Sequence, residues 1–365
     1  MEGFEFTDVF SIEVLDGTVM VIDESLVTYK KKLQKANDLI ERIAADYPEI
    51  TPITKQDVSL FQDFFAKEAR HTYGNSWIYV TQGTFGIGPE NLGYKYYDGE
   101  NLCALAVFPK IEQPEILMMY WIRPVGSSMI PIIAELAEEI KQKYKLCSYV
   151  KKIFPDQYEY LLKHGFQSAK NFPWHSSAHS EDDTYPELIY DREQTLRLID
   201  SPEGSRQLRR IAKDVDRVFN KYNVKVSADN FVEDAWFIAR RYFDFIGGTL
   251  NKINLSSAFD YHSMLFSRKV GDVAQNGIAY FDGEPVGFYV ADSDVEHSVT
   301  SIYAHIGLRY KYKYIVDCMH LHVFRVSKTK FINAGGSEDS GILAFKNKYA
   351  PRKENKMLWA TNYFA

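Results

Sequence analysis

The sequence predicts a mixed α/β protein built from two blocks that share one order of elements. Three observations carry this. Two Asp-Gly dipeptides, Asp98-Gly99 and Asp282-Gly283, each sit between apolar runs, a strong short-range sign of a β-hairpin. After each hairpin come a strand, a helix, a second strand, a second helix and a closing strand, read from the switch between period-2 and period-3.6 patterning. The 365 residues are 45% hydrophobic and 15% aromatic, enough for two packed cores or one large one.

The elements follow in chain order. Residues 1–50 read as an N-terminal extension: a short strand pair, then a helix over SLVTYKKKLQKANDLIERIAADY, with Leu33, Leu39, Ile40 and Ile43 at helical spacing and Pro48 and Pro52 closing it. The first block, 51–197, reads as helix (DVSLFQDFFAKEA), hairpin (NLGYKYYDGENLCALAVF), strand (EILMMYWIRPV), helix (MIPIIAELAEEIKQKYK), strand (LCSYVKKI), a helix ending at Gly165, and a last strand in TYPELIYDREQTL. A helical linker, 198–250, contains SRQLRRIAKDVDRVFNKY and VEDAWFIARRYFDFIGGTL. The second block, 251–365, repeats the order: YHSMLFSRKVG, the hairpin NGIAYFDGEPVGFYVADS, the strand HSVTSIYAHIGL, the helix YKYIVDCMHLHVFRVSK, the strand TKFINAGG, the helix EDSGILAFKNKYA and the strand KMLWATNYF. Recurrence of the order points to an internal duplication.

Charge and cysteine content narrow the setting. The net charge is −6, yet from Ser301 to Ala365 eleven lysines and arginines face four acids, a local +7. Such a basic end suggests a local phosphate or nucleic-acid site; the plainer alternative is a basic surface balancing an acidic one. Three scattered cysteines, Cys103, Cys147 and Cys318, form no disulfide framework and suit a reducing compartment. The first residues lack a signal pattern, and no stretch is apolar enough to span a bilayer, so a cytoplasmic protein without an integral membrane segment is expected.

The stretch FINAGGSEDSGILAFKNKYAP carries the most chemistry. A strand ends at Asn333-Ala334-Gly335-Gly336, where paired glycines let the backbone approach something closely. Ser337 can cap the following helix, whose free N–H groups favour an anion; a plain strand-to-helix turn is the alternative. RYKYKY, Arg309 to Tyr314, interleaves cations with rings in the manner of nucleic-acid contacts, or as a solvated strand end. In DCMHLHVF, Cys318 and His322 share a helix face, but no second pair has suitable spacing, so no metal is expected. The acidic run EDDTYPE reads as a solvated loop.

The order of elements resembles the GNAT acyltransferase fold, and YEYLLKHGF resembles the helix end of those proteins. Two such blocks joined by an Arg-rich helix resemble the FemXAB-type aminoacyl transferases and the soluble C-terminal domain of phosphatidylglycerol lysyltransferases. The run from Asn333 to Pro351 is similar to the lysyltransferase ending, and SRQLRRIAKDVDRV to its linker helix. The resemblance covers roughly residues 50–365 and implies two tandem GNAT-like domains, the first degenerate and the second active. It implies an acyl carbonyl lying where the fourth and fifth strands of the second block part, a gap expected to be open and cationic. Tyr303, His305 and Asn333 would surround the reaction, with His305 as base; a histidine merely packed or exposed on the strand is the alternative. Arg309, Lys311, Lys313, Gly335, Gly336, Ser337, Lys346 and Tyr349 would hold the donor.

Two departures from the GNAT pattern bear on the donor. The glycine-rich pyrophosphate loop expected after the fourth strand reads GLRYKYKYIVD here, and the last-helix tyrosine is replaced by Phe345. GTFGIG, Gly83 to Gly88, precedes the hairpin and reads as a flexible loop. These departures favour aminoacyl-tRNA, held through its 3′ end, over acetyl-CoA or another acyl-CoA. The acceptor is an amine or hydroxyl on a small molecule, peptide or lipid headgroup. An ordinary N-acetyltransferase and a non-catalytic ligand-binding or scaffold protein remain the alternatives.

Overall fold

A computed structural model describes residues 24–85, 93–109, 116–169, 186–201, 203–250, 275–337 and 340–363. The expected N-terminal strand pair, the helix over YHSMLFSRKVG and most of EDDTYPE lie outside them. Helix α1 (Glu24–Asp46) leads into β1 (Ile50–Pro52), α2 (Val58–Lys67) and α3 (Trp77–Phe85). The hairpin β2 (Tyr94–Tyr97) and β3 (Leu102–Pro109) follows, then β4 (Leu117–Val125), α4 (Met129–Tyr144), β5 (Cys147–Ile153), α5 (Pro155–Lys163) and β6 (Gln167–Ser168). Strand β7 (Glu187–Asp191) runs directly into α6 (Arg192–Asp200), then α7 (Arg206–Lys221), β8 (Val224–Ser227) and α8 (Phe231–Leu250). The second hairpin is β9 (Gln275–Phe281) and β10 (Glu284–Asp294), before β11 (Val299–Gly307), α9 (Ile315–Val326), β12 (Phe331–Asn333), α10 (Ser340–Asn347), β13 (Lys353–Asn355) and β14 (Leu358–Thr361).

The expected mixed α/β architecture is present as two seven-stranded sheets. One has the order β1-β2-β3-β4-β5-β14-β6 and the other β13-β7-β12-β11-β10-β9-β8. In each, a single parallel pair, β4 with β5 and β11 with β12, sits beside an antiparallel hairpin. Both Asp-Gly turns fall where expected. Asp282 (φ 53°) and Gly283 (φ 87°) are both left-handed, the type I′ geometry that matches strand twist. In α4, the positions Met129, Ile130, Ile133, Ala134, Ala137 and Ile140 form one buried stripe, which is why it docks flat on the first sheet.

The blocks exchange their closing strands. β7, the expected last strand of the first block, pairs with β12 and β13 of the second sheet. β14, at the far end of the chain, pairs with β5 and β6 of the first. Each is a short, almost continuously buried run, which reads as a strand but names no partner. α1 also belongs to the first block, burying Ala36, Ile40 and Ile43 in the core that holds Met119, Trp121 and Ala360. α7 and α8 place Leu208, Ile211, Val215, Val218, Phe231 and Ile238 in the second core, so the expected linker helices are structural layers of that block.

Strand exchange predicts a long-range effect of a terminal deletion. Removing residues 357–365 strips β14 from one edge of β5, leaving β4 on the other, and exposes Tyr149, which packs edge-on to Trp359 with ring centroids 5.8 Å apart. Exchange of the β5 amides that face β14 should then rise towards the unprotected rate, while those facing β4 and those of β9 and β10 keep most of their protection. Unchanged protection of β5 would contradict the pairing.

Candidate active site at the junction of the blocks

β11 and β12 pair only from Val299 to Ser301 and from Phe331 to Asn333; β11 then runs on to Gly307 paired with β10 but not with β12. At the parting point β11 is bulged. Ala291 faces Ile302 and Val290 faces Ala304, so Tyr303 has no partner on β10. The expected divergence is therefore present. The expected open, cationic gap is not. Tyr73, on the loop between α2 and α3, reaches in from the first block. Its hydroxyl donates to the Ile302 carbonyl (2.8 Å), its own carbonyl accepts from the Tyr303 hydroxyl (2.7 Å), and the two rings lie 4.4 Å apart. A Cβ on Gly335 would fall 2.8 Å from the Tyr73 ring, and Gly335 has φ +67°, so only glycine fits there. The close approach expected at the paired glycines is made by this phenol ring.

Beneath the ring lies a buried polar centre. The fully buried Glu187 carboxylate accepts from Lys152 Nζ (2.9 Å), from the Tyr73 N–H (2.9 Å) and from Asn333 Nδ2 (3.1 Å). Burial opposes its charge, but Lys152 and these donors outweigh burial and hold the carboxyl below its ordinary range. Asn333 Oδ1 accepts the Gly335 N–H at 2.8 Å and fixes the turn. Beside it, Ser76 donates to Asp292 Oδ2 (2.8 Å), and burial pushes the Asp292 carboxyl up to about 6. Burial also raises the Tyr303 phenol.

The remaining expected residues fall into two other groups. His305 faces the rings of His320 (5.0 Å) and Phe345 (5.6 Å), and its buried Nδ1 has no hydrogen-bond partner among the described residues. Burial, aided by the Lys346 charge, drives its pKa down to about 3. A neutral imidazole so weakly basic makes a poor proton acceptor, and its neighbours are rings. Tyr349 is buried in the same cluster and donates to Asp317 Oδ1 (2.6 Å). Lys346 is buried and donates to the Gly335 and Gly336 carbonyls, closing the turn that leads to the buried Ser337. Arg309, Lys311 and Lys313 lie on the exposed loop after β11, where Lys311 grips both oxygens of Glu284 (2.9 and 2.8 Å). The N–H groups of Arg309, Lys311, Tyr312 and Ile315 turn inward to carbonyls of the same loop.

The sequence reading passed over Tyr73, Ser76, Lys152, Glu187 and Asp292, which carry no motif. It also passed over Arg123-Pro124-Val125-Gly126-Ser127-Ser128 after β4, where an Arg-x-x-Gly spacing was legible. There Glu68 Oε1 accepts from the Gly126 N–H and Oε2 from Arg123, both at 3.3 Å. Arg123 Nε also donates to Asn75 Oδ1 at 2.6 Å. A carboxylate of the chain itself thus occupies the anion position of that loop.

No protein-family model matches the chain, and no curated protein does. Solved structures do. A conserved protein of unknown function from Bacteroides thetaiotaomicron superposes with a TM-score of 0.64 at 14% identity, over 86% of this chain and 98% of that one. The C-terminal domain of a candidate lysylphosphatidylglycerol synthetase from Agrobacterium fabrum gives 0.54 at 12%, over 85% and 92%. L-PGS from Bacillus licheniformis gives 0.52 at 14%, over 83% and 90%. The chain shares its fold, two blocks each with a seven-stranded mixed sheet, with these structures. Among the described residues no helix is long and apolar enough to cross a membrane.

Two measurements check this site. Lys152→Met strands the Glu187 carboxylate and should cost about 3–5 kcal/mol in urea unfolding, with part recovered when Glu187→Gln is added. His305 is neutral in the folded chain down to about pH 3 but titrates near 6.5 when unfolded. The unfolded chain therefore binds the extra proton across that window, and stability falls as pH drops through it. His305→Phe should flatten the loss between pH 7 and pH 4 relative to the parent, read as urea midpoints.

Proposed function

We propose that the chain transfers an acyl group, specifically an aminoacyl group from a charged tRNA, to an amine or hydroxyl acceptor at the β11–β12 gap. The observation that carries this reading is the parting of β11 and β12 beside the bulged Tyr303, within a fold shared with structures named for lysylphosphatidylglycerol synthesis. Donor entry requires the Tyr73 side chain to leave the gap. Displacement of the Tyr73 backbone along with that side chain frees the Tyr303 hydroxyl, which otherwise donates to the Tyr73 carbonyl, to donate to the developing oxyanion. Asp292, with a carboxyl near 6, is poised to take the acceptor's proton. The exposed Arg309 and Lys313 suit a phosphodiester end, and the lack of a glycine-rich loop in GLRYKYKYIVD argues against a coenzyme A pyrophosphate.

A second reading is a non-catalytic ligand-binding or scaffold protein. It is favoured by the same Tyr73, whose backbone and hydroxyl are both bonded to the second block. Binding and turnover of charged tRNA and of acetyl-CoA, measured on the parent and on Tyr73→Ala, separate the readings. Transfer should be faster in Tyr73→Ala. It should fall about 100-fold in Tyr303→Phe and by about the same factor or more in Asp292→Asn. Tight acetyl-CoA binding without tRNA binding would overturn the donor, and no binding of either by both proteins would support the scaffold.

A further inference from the structure

A second constellation lies at the base of the Tyr73 loop and takes no part in the reading above. His71 comes from that loop, Asp294 from the end of β10 and His297 from the turn into β11. His71 Nδ1 is 3.1 Å from Asp294 Oδ2, and His297 Nδ1 is 2.7 Å from the same oxygen. The three donor atoms lie within 4.8 Å of one another. The side chains are 8%, 11% and 17% exposed, shielded from bulk water yet reachable.

The outer contacts decide which atoms face inward. His297 Nε2 is 2.6 Å from the Glu68 carbonyl, which can only accept, so that nitrogen carries a hydrogen. His71 Nε2 lies 3.5 Å from Ser301 Oγ. Asp294 Oδ1 accepts the His297 N–H at 3.0 Å, which orients the carboxylate. Both imidazoles therefore direct Nδ1 at one carboxylate oxygen while their far nitrogens meet outside partners. Metal-binding histidines are held in this way, one nitrogen on the ion and the other N–H on a carbonyl or hydroxyl. Ligands about 2.0–2.2 Å from one ion sit roughly 3–3.5 Å apart, so the two nitrogen–oxygen spacings need shifts of only a few tenths of an ångström, while the two imidazole nitrogens lie within 4.8 Å of each other.

We propose that His71 Nδ1, Asp294 Oδ2 and His297 Nδ1 bind a first-row divalent cation of the zinc class, with a further position left to solvent. Two imidazoles and one carboxylate suit zinc, cobalt or ferrous ion and suit calcium or magnesium poorly. Two ligands belong to the second block and one to the first, so the ion staples the blocks together. His71 also stands two residues before Tyr73, so the ion anchors the loop that fills the gap. The proposal stands whether or not the chain transfers acyl groups.

The test uses the full chain after chelator treatment and dialysis. Titration with Zn²⁺ should show one equivalent bound, weakened at least ~100-fold in Asp294→Asn and in His297→Gln, and unchanged in His164→Gln, an exposed histidine stacked on Tyr160. At a hundredfold excess over Kd, Zn²⁺ should raise the thermal midpoint of the parent by about 3 °C or more and leave Asp294→Asn unmoved. Co²⁺ added to the parent alone should give the intense visible bands of a four- or five-coordinate ion, a readout that needs no variant to fold. No stoichiometric Zn²⁺ or Co²⁺ binding by the parent, or equal binding by the variants, would overturn the proposal. The cluster would then be a hydrogen-bonded imidazolium, His297 bridging Asp294 and the Glu68 carbonyl.

Discussion

The structure turns on the carboxylate of Glu187. An ionised carboxylate removed from water is costly, by several kcal/mol even after relaxation, unless its oxygens are filled. Here they are filled from three directions: Lys152 from the first sheet, the Tyr73 N–H from the loop between α2 and α3, and Asn333 from the second sheet. This one group fixes the seating of β7 beside β12. A slip of one residue would turn Glu187 to the opposite face and leave Lys152 charged in a dry interior. Apolar packing builds each block, while a polar joint defines how the blocks meet.

The same short segment, residues 68–76, closes both halves. Glu68 sits on the Arg123–Gly126 loop of the first block, and Tyr73 fills the gap between the parting strands of the second. Ser76 meets Asp292, and His71 meets Asp294. Duplicated blocks would each have their own cleft; here one segment serves as the stopper for two. Access to the second block therefore depends on how firmly residues of the first hold that segment, so the blocks cannot act independently of one another.

Much of the architecture was legible. Both Asp-Gly hairpins, the stripe of α4 and the close backbone approach at Gly335 follow from local patterning, while the parting of β11 from β12 was implied by the family resemblance. What escaped was non-local or short. β13 has three residues and β8 four, too few for a period to register. α3 has the sequence WIYVTQGTF, with no charged face to reveal its helical period. α6 was merged with the strand before it, although Asp191 caps it by accepting from the Gln194 N–H. Tyr303, Asn333 and Gly335 gather around Tyr73 and Glu187, whereas His305 belongs to an aromatic cluster and Lys311 of the basic loop is paired with Glu284. Glu187 and Lys152 looked like ordinary charges, because a strand sequence does not record which sheet it will join.

The exchange of closing strands also bears on how the molecule is made. β14 is inserted between β5 and β6, so the first sheet cannot be completed until residue 361 has been synthesised and has cleared the ribosome tunnel. Until then the nascent polypeptide displays the unpaired edge of β5, an apolar strand open to pairing with other chains. A block encoded first is finished last, so the apolar β5 edge stays open for most of synthesis.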